Sequence, residues 1–229
     1  MLSRIFILSI FSFFLWTSAS AQALQDYNRF SFEVSGGLHI PITPTTGINA
    51  SDYIGFKQIQ AGARYMFNTK YGLKVFFATN RFDGGDKGIF TIDGVEEEID
   101  LYSTYTRVGI EGVFNLGDIF KMGPRYLEKN GILGHLGAGL TYSSPATVPG
   151  KVDRMGILVF GITPQRKLTR NLVIFGDVNY VANLKQHYTF SGIRFDDHKA
   201  RVGGFMSINI GLTYYIGGNS EHADWYMGH

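Results

Sequence analysis

Period-two alternation of apolar and polar residues recurs in long stretches along this chain and limits its folds more than any other feature. Phe30, Phe32, Val34, Gly36, Leu38 and Ile40 share one face, and Ser31, Glu33, Ser35, Gly37 and His39 share the other. Successive side chains of a strand point to opposite sides, so such a stretch reads as a strand with one apolar face. The pattern returns around Gln58–Phe67, Leu73–Asn80, Tyr102–Phe114, Ile132–Tyr142, Leu172–Ala182 and Phe205–Ile216. A further stretch, Gly156–Thr163, is apolar on both faces, which makes eight strands and leaves the phase of this one open. Gly, Asn, Asp and Pro punctuate the intervals, and sustained helical periodicity is absent.

The N-terminus reads as an export signal. Arg4 precedes the apolar run Ile5–Thr17, and small residues follow at Ser18–Ala23. The run is too short to span the ~30 Å hydrocarbon core as a helix. Cleavage is expected after Ala21 or Ala23, so the expected organisation is a signal peptide at 1–21, a barrel at 22–216 and a periplasmic tail at 217–229. The remaining sequence has no apolar run long enough for a transmembrane helix.

An exported chain of eight alternating strands has two homes: a soluble barrel with its apolar face inward, or an outer-membrane barrel with its apolar face toward lipid. The membrane form is favoured. Its strands exceed the five or six residues usual in soluble sheets. Charged residues sit mid-strand on the polar faces: Glu33, Arg64, Lys74, Arg107, Glu111 and Asp177. With His135 they form a candidate lumen charge network. Aromatics near strand ends (Tyr27, Phe30, Phe67, Tyr71, Phe82, Tyr102, Phe114, Tyr142, Tyr188 and Tyr215) are the expected interfacial girdles. The expected fold is therefore all-β, an eight-stranded antiparallel up-and-down transmembrane β-barrel in the cell outer membrane, monomeric, with outer-membrane lipid as its surroundings.

An even strand count puts both termini in the periplasm, with short turns on that side and longer loops outside. Residues 68–72 and 165–171 fit as turns, and 41–53, 83–100 and 184–199 as external loops. The 83–100 segment holds Asp93-Gly94 between two β-prone runs, a hairpin signal. Glu96, Glu97 and Glu98 argue that this hairpin stands above the membrane and does not add two strands to the wall. The long periplasmic connection 115–131 reads as a short helical turn. Its Ile119, Phe120, Tyr126 and Leu127, together with Trp225 of the tail, are candidate docking residues for other outer-membrane or periplasmic proteins.

Three blocks carry a family resemblance. They are Asn115–Phe120 followed by Gly131–Gly139, Gly161–Gln165 leading to Asn183–Phe190, and Ile210–Gly218 with Glu221-His-Ala-Asp-Trp225. Over about residues 105–226 the chain resembles the N-terminal barrel of the OmpA-like outer-membrane proteins of Bacteroidetes. The resemblance implies a barrel lineage and no reaction. In the larger relatives a peptidoglycan-binding domain follows the His-Ala-Asp-Trp stretch. The residues of that domain have no counterpart here, and no wall tether is expected.

Composition removes other classes. The 229 residues are 45% hydrophobic and 17% charged, with a net charge of +2 and no cysteine. That excludes a disordered chain, a disulfide scaffold and a thiolate metal site, and it leaves no electrostatic footprint for nucleic acid. The glycines of Gly134–Gly139 alternate along a strand without a following Lys-Ser/Thr, so they are not a phosphate loop. His39, His187 and Asp196-Asp197-His198 could serve a lipid-modifying enzyme at the external rim, but no fixed constellation supports catalysis. The expectation is a non-enzymatic membrane scaffold or accessory subunit without cofactor or metal. A narrow porin-like channel is the first alternative and a lipid-modifying barrel enzyme the second.

Overall fold

A computed structural model describes residues 27–44, 49–92, 95–123, 128–195, 197 and 199–226. The expected signal peptide lies outside them, as do Tyr126, Leu127, Asp196 and His198. Ten strands follow in order. They are β1 (Tyr27–Asn28), β2 (Phe30–Thr43), β3 (Gly55–Met66), β4 (Tyr71–Ile92), β5 (Val95–Asn115), β6 (Asn130–Pro145), β7 (Asp153–Lys167), β8 (Leu172–Gln186), β9 (Arg201–Ile216) and β10 (Glu221–His222). A 3₁₀ turn (Ala50–Tyr53) precedes β3, and a four-residue helix, α1 (Leu116–Ile119), follows β5. Asn115 caps α1 by accepting a hydrogen bond from the Asp118 N–H at 3.3 Å.

Strands β2 to β9 each pair antiparallel with the next, and β9 pairs back with β2 from Phe30–Ile216 to Thr43–Gly204. This is a closed up-and-down barrel, which leaves no unpaired sheet edge. β4 and β5 run to 22 and 21 residues, against 12 in β3. Their outer parts pair from Lys87–Asp100 to Ile92–Val95 as a hairpin standing clear of the wall, so the barrel has eight strands and not ten. The short β1 and β10 pair in parallel beneath the barrel and join the start of the described chain to its tail.

The alternation in sequence is the alternation of the wall. Phe32, Val34, Ile59, Val75, Phe77, Ile110, Leu136, Leu158, Phe160, Ile162, Ile210 and Leu212 all face outward and are exposed. An apolar belt on the outside of a barrel is the reverse of a soluble one. The open phase of β7 is resolved: Met155, Ile157 and Val159 point inward and are buried, while Leu158, Phe160 and Ile162 point outward. Both faces are apolar because the interior beside Met155 and Ile157 is itself a hydrophobic cluster.

Three expected girdle residues are interior. Phe82 (0% exposed), Tyr188 and Tyr215 are buried. Nearness to a strand end does not decide the face, which parity decides. Phe82 shares the inward parity of Lys74 and Asn80, and Tyr215 that of Thr213.

Candidate functional site: the barrel interior and its two closures

The interior is stacked in three levels. At the end opposite the tail Phe82 is the hub of an aromatic cap. Its ring centroid lies 4.9 Å from Tyr105, 4.6 Å from Phe190 and 5.1 Å from Phe205. Edge and tilted contacts of this kind add to the burial of the rings themselves. Loops complete the cap. The 3₁₀ turn inserts Tyr53, and the segment after β8 folds inward to bury Tyr188, Phe190 and Phe195. Tyr53 lies outside the spanning strands, and burial pushes its phenol up to about 12.

The middle level is a chain of neutral polar groups around Arg107. Its Nη2 and Nε donate to Asn80 Oδ1 at 2.9 and 3.1 Å, and its guanidinium lies 5.2 Å from the Phe205 ring centroid. Asn80 Nδ2 and Ser207 Oγ both donate to Gln58 Oε1 at 2.6 Å, and Asn209 Nδ2 donates to Ser207 Oγ at 3.1 Å. Asn209 also donates to Asp177 Oδ2 at 3.3 Å, which ties this level to the one below.

The lowest level holds the charges. Lys74 Nζ is 2.7 Å from Glu111 Oε2 and 3.7 Å from Glu33 Oε2. Arg64 Nε is 2.9 Å from Glu33 Oε1. His135 bridges Asp177 Oδ1 (2.9 Å) and Glu111 Oε2 (3.4 Å), and Thr163 donates to Asp177 at 2.8 Å. Glu33, Arg64, Lys74, Glu111, His135 and Asp177 thus form one connected cluster. Arg107 stands apart from it: among the described residues it makes no ion pair, and Asn80 holds it instead. Four residues along a strand carry Arg107 too far from Glu111 for contact, although both face inward.

The tail supplies the member that sequence reasoning missed. Asp224 Oδ2 is 2.9 Å from Arg64 Nη1 and accepts from Tyr215 Oη at 2.8 Å and Gln165 Nε2 at 3.3 Å. Burial alone would raise this carboxyl, but the Arg64 guanidinium holds it well below the usual carboxylate range. His222 stacks on Tyr215 at 3.9 Å, and burial pushes its imidazole down. Its Nδ1 accepts from the Asp224 N–H at 3.2 Å, as a neutral imidazole can.

Trp225 corrects an expectation. Read as a docking residue, it is instead 5% exposed, with Nε1 donating to Tyr215 Oη at 3.1 Å. Its apolar ring is buried against Val173 and Tyr215 and not presented to a partner. Ile119 is half-buried on α1, and Phe120 is 71% exposed at the rim on the tail side of the barrel.

The remaining candidates for chemistry are scattered. His39 is buried against Phe82, at 4.2 Å between ring centroids. His187 Nδ1 lies 2.8 Å from Asp153 Oδ1 at the rim opposite the tail. Asp197 lies 3.5 Å from Arg201. No hydrogen bond or ion pair described here joins any two of them. Among the described residues no cluster of three or more His, Asp or Glu could hold a metal ion.

No family model matches the chain, and no curated protein matches it. Solved structures do. A major outer membrane protein from Thermus thermophilus aligns with a TM-score of 0.52 at 11% identity, over 82% of this chain and 99% of that one. The attachment invasion locus protein Ail of Yersinia pestis aligns at 0.46 and 18%, over 83% and 99%. OprG from Pseudomonas aeruginosa aligns at 0.46 and 12%, over 84% and 98%. At these identities the likeness is one of fold: a closed eight-stranded barrel of outer-membrane type.

Proposed function

We propose that the chain is an integral outer-membrane β-barrel that acts as a membrane scaffold or an accessory subunit, and not as a pore or an enzyme. The observation that carries this reading is the filled interior. Between the aromatic cap and the tail, the void beside Glu33, Arg64, Lys74 and His135 is about 10 Å³. That is close to the least volume that holds one water. An eight-stranded barrel is only just wide enough to be filled by side chains, and here the loops and the tail add to the filling. The apolar outer belt supports the membrane location, and the outer-membrane type of the fold agrees with it. The N-terminal export signal is part of the same proposal, with cleavage after Ala21 or Ala23.

Accessory contact would use surfaces the fold leaves free. On the periplasmic side that surface is Phe120, which is 71% exposed, with Ile119 on α1. Outside, the β4–β5 hairpin projects with Glu96, Glu97 and Glu98 exposed. The test is single-channel recording of the purified protein in planar bilayers. The expected record is flat, without discrete openings. Stable unitary steps from folded wild-type protein would overturn the scaffold reading in favour of the channel.

A further inference from the structure

The barrel wall has missing rungs. Between β7 and β8 the pairing reaches Ile162–Val178 and resumes at Gln165–Phe175, passing over Thr163–Asp177 and Pro164–Gly176. The register is the same on both sides, so this is no bulge. Pro164 has no N–H to give to a ladder. Gly176 has no side chain to close the space, and a Cβ there would meet nothing nearer than the Asn209 carbonyl oxygen at 3.9 Å. The result is a shallow, largely open groove on the outer face, walled by Pro164, Ile174, Gly176 and Ile210.

The cleft changes character along its length. Pro164 and Ile210 belong to the apolar belt, whereas Asn130 and Arg166 line the periplasmic end. Arg166 is exposed and points outward from the same face of β7 as Pro164, two residues nearer the periplasm. Its Nη1 reaches Asn130 Oδ1 at 3.4 Å, and among the described residues it makes no ion pair. Lys129 and Arg170 are exposed on the same rim, against Glu128. The occupant that suits both the apolar lining and the cationic end has an apolar chain and an anionic head.

We infer that this cleft binds one anionic glycerophospholipid of the periplasmic leaflet, with an acyl chain along Pro164, Gly176 and Ile210 and the phosphate at Arg166. The inference rests on the reading that the barrel spans the outer membrane. A soluble ligand would not explain why the apolar part of the cleft opens onto the belt. A phosphate alone would leave the groove above Arg166 without a role.

The experiment is native mass spectrometry of the folded barrel in detergent micelles, titrated with dioleoyl phosphatidylglycerol and, separately, dioleoyl phosphatidylcholine. Wild-type protein is expected to retain a single phosphatidylglycerol at collision energies that strip further lipid. Gly176→Leu fills the groove and is expected to lower that adduct at least tenfold. Arg166→Gln is expected to remove the preference for phosphatidylglycerol over phosphatidylcholine while leaving some adduct of both. Equal retention by Gly176→Leu and wild type, or no headgroup preference in wild type, overturns the inference. If Gly176→Leu does not fold, Gly176→Ala, whose methyl meets nothing closer than 3.9 Å, takes its place with the same expected direction. Folding is checked for each variant by the mobility difference between boiled and unboiled samples. Failure of wild type to show that difference would instead bring down the membrane reading itself.

Discussion

At the scale of single residues the interior is governed by what each buried charge meets. Arg64 is held between Glu33 and Asp224, one on β2 and one in the tail. Removing one partner of a buried pair leaves the other uncompensated, at a cost of about 3–5 kcal/mol. Asp224→Ala is therefore expected to lower the unfolding free energy measured in urea by an amount in that range. Arg64→Ala, which takes the cation from Asp224 and leaves Glu33 only its 3.7 Å contact with Lys74, should cost no less, and the double variant should cost less than the sum, because the two sites share one interaction. The same pair sets a pH dependence. The folded carboxyl of Asp224 lies below its unfolded value, so its contribution is complete above about pH 4 and is lost as pH falls through the folded value. Trp225 reports this directly, since the chain's other tryptophan, Trp16, lies in the proposed signal peptide. In protein lacking that segment, Trp225 emission is expected to keep its buried wavelength at pH 4 and to shift red only in stronger acid. A red shift already complete at pH 5 would contradict the Arg64–Asp224 anchor.

At the scale of elements the tail depends on how the chain turns out of β9. Gly217 has φ 148°, and a Cβ there would lie 1.8 Å from Asn28 Oδ1. Asn28 in turn holds the turn from both sides, accepting from the Asn219 N–H and donating to its carbonyl, each at 3.0 Å. Gly217→Ala is expected to unseat the tail and expose Trp225 to an aqueous quencher. Gly218→Ala, where a Cβ meets nothing within 4 Å, is the matched control and should leave quenching unchanged. The β4–β5 hairpin is the opposite case. It pairs with itself beyond the wall, so shortening it across 88–99 with a two-residue turn should leave heat-modifiable mobility as in wild type. Both expectations follow from register, which also separates what the sequence discloses from what it conceals. Parity alone placed Glu33, Arg64, Lys74, Glu111, His135 and Asp177 on the inward face. It could not say that Arg107 would be held by an amide, because the height at which facing side chains meet depends on strand stagger. It does place Phe82 and Tyr215 inside, although their nearness to strand ends makes them look like girdle residues. The tail was beyond its reach altogether: Asp224 meets Arg64 across 160 positions of chain, and no local pattern encodes such a contact.

At the scale of the whole molecule, the barrel is closed three times over: around its circumference by β2 and β9, at its outer end by the aromatic cap, and at its inner end by the tail. The last of these closures fixes an order of events. Asp224 and the groups beside it touch β3 through Arg64, β5 through Asn115, β7 through Gln165 and β9 through Tyr215. Arg64 and Tyr215 lie on opposite sides of the seam where the last strand of the barrel meets the first. Until that seam is zipped, the residues that receive Asp224 are not assembled. The tail therefore seats only on a finished barrel, and the meeting of Asp224 with Arg64 marks the moment at which the seam is closed.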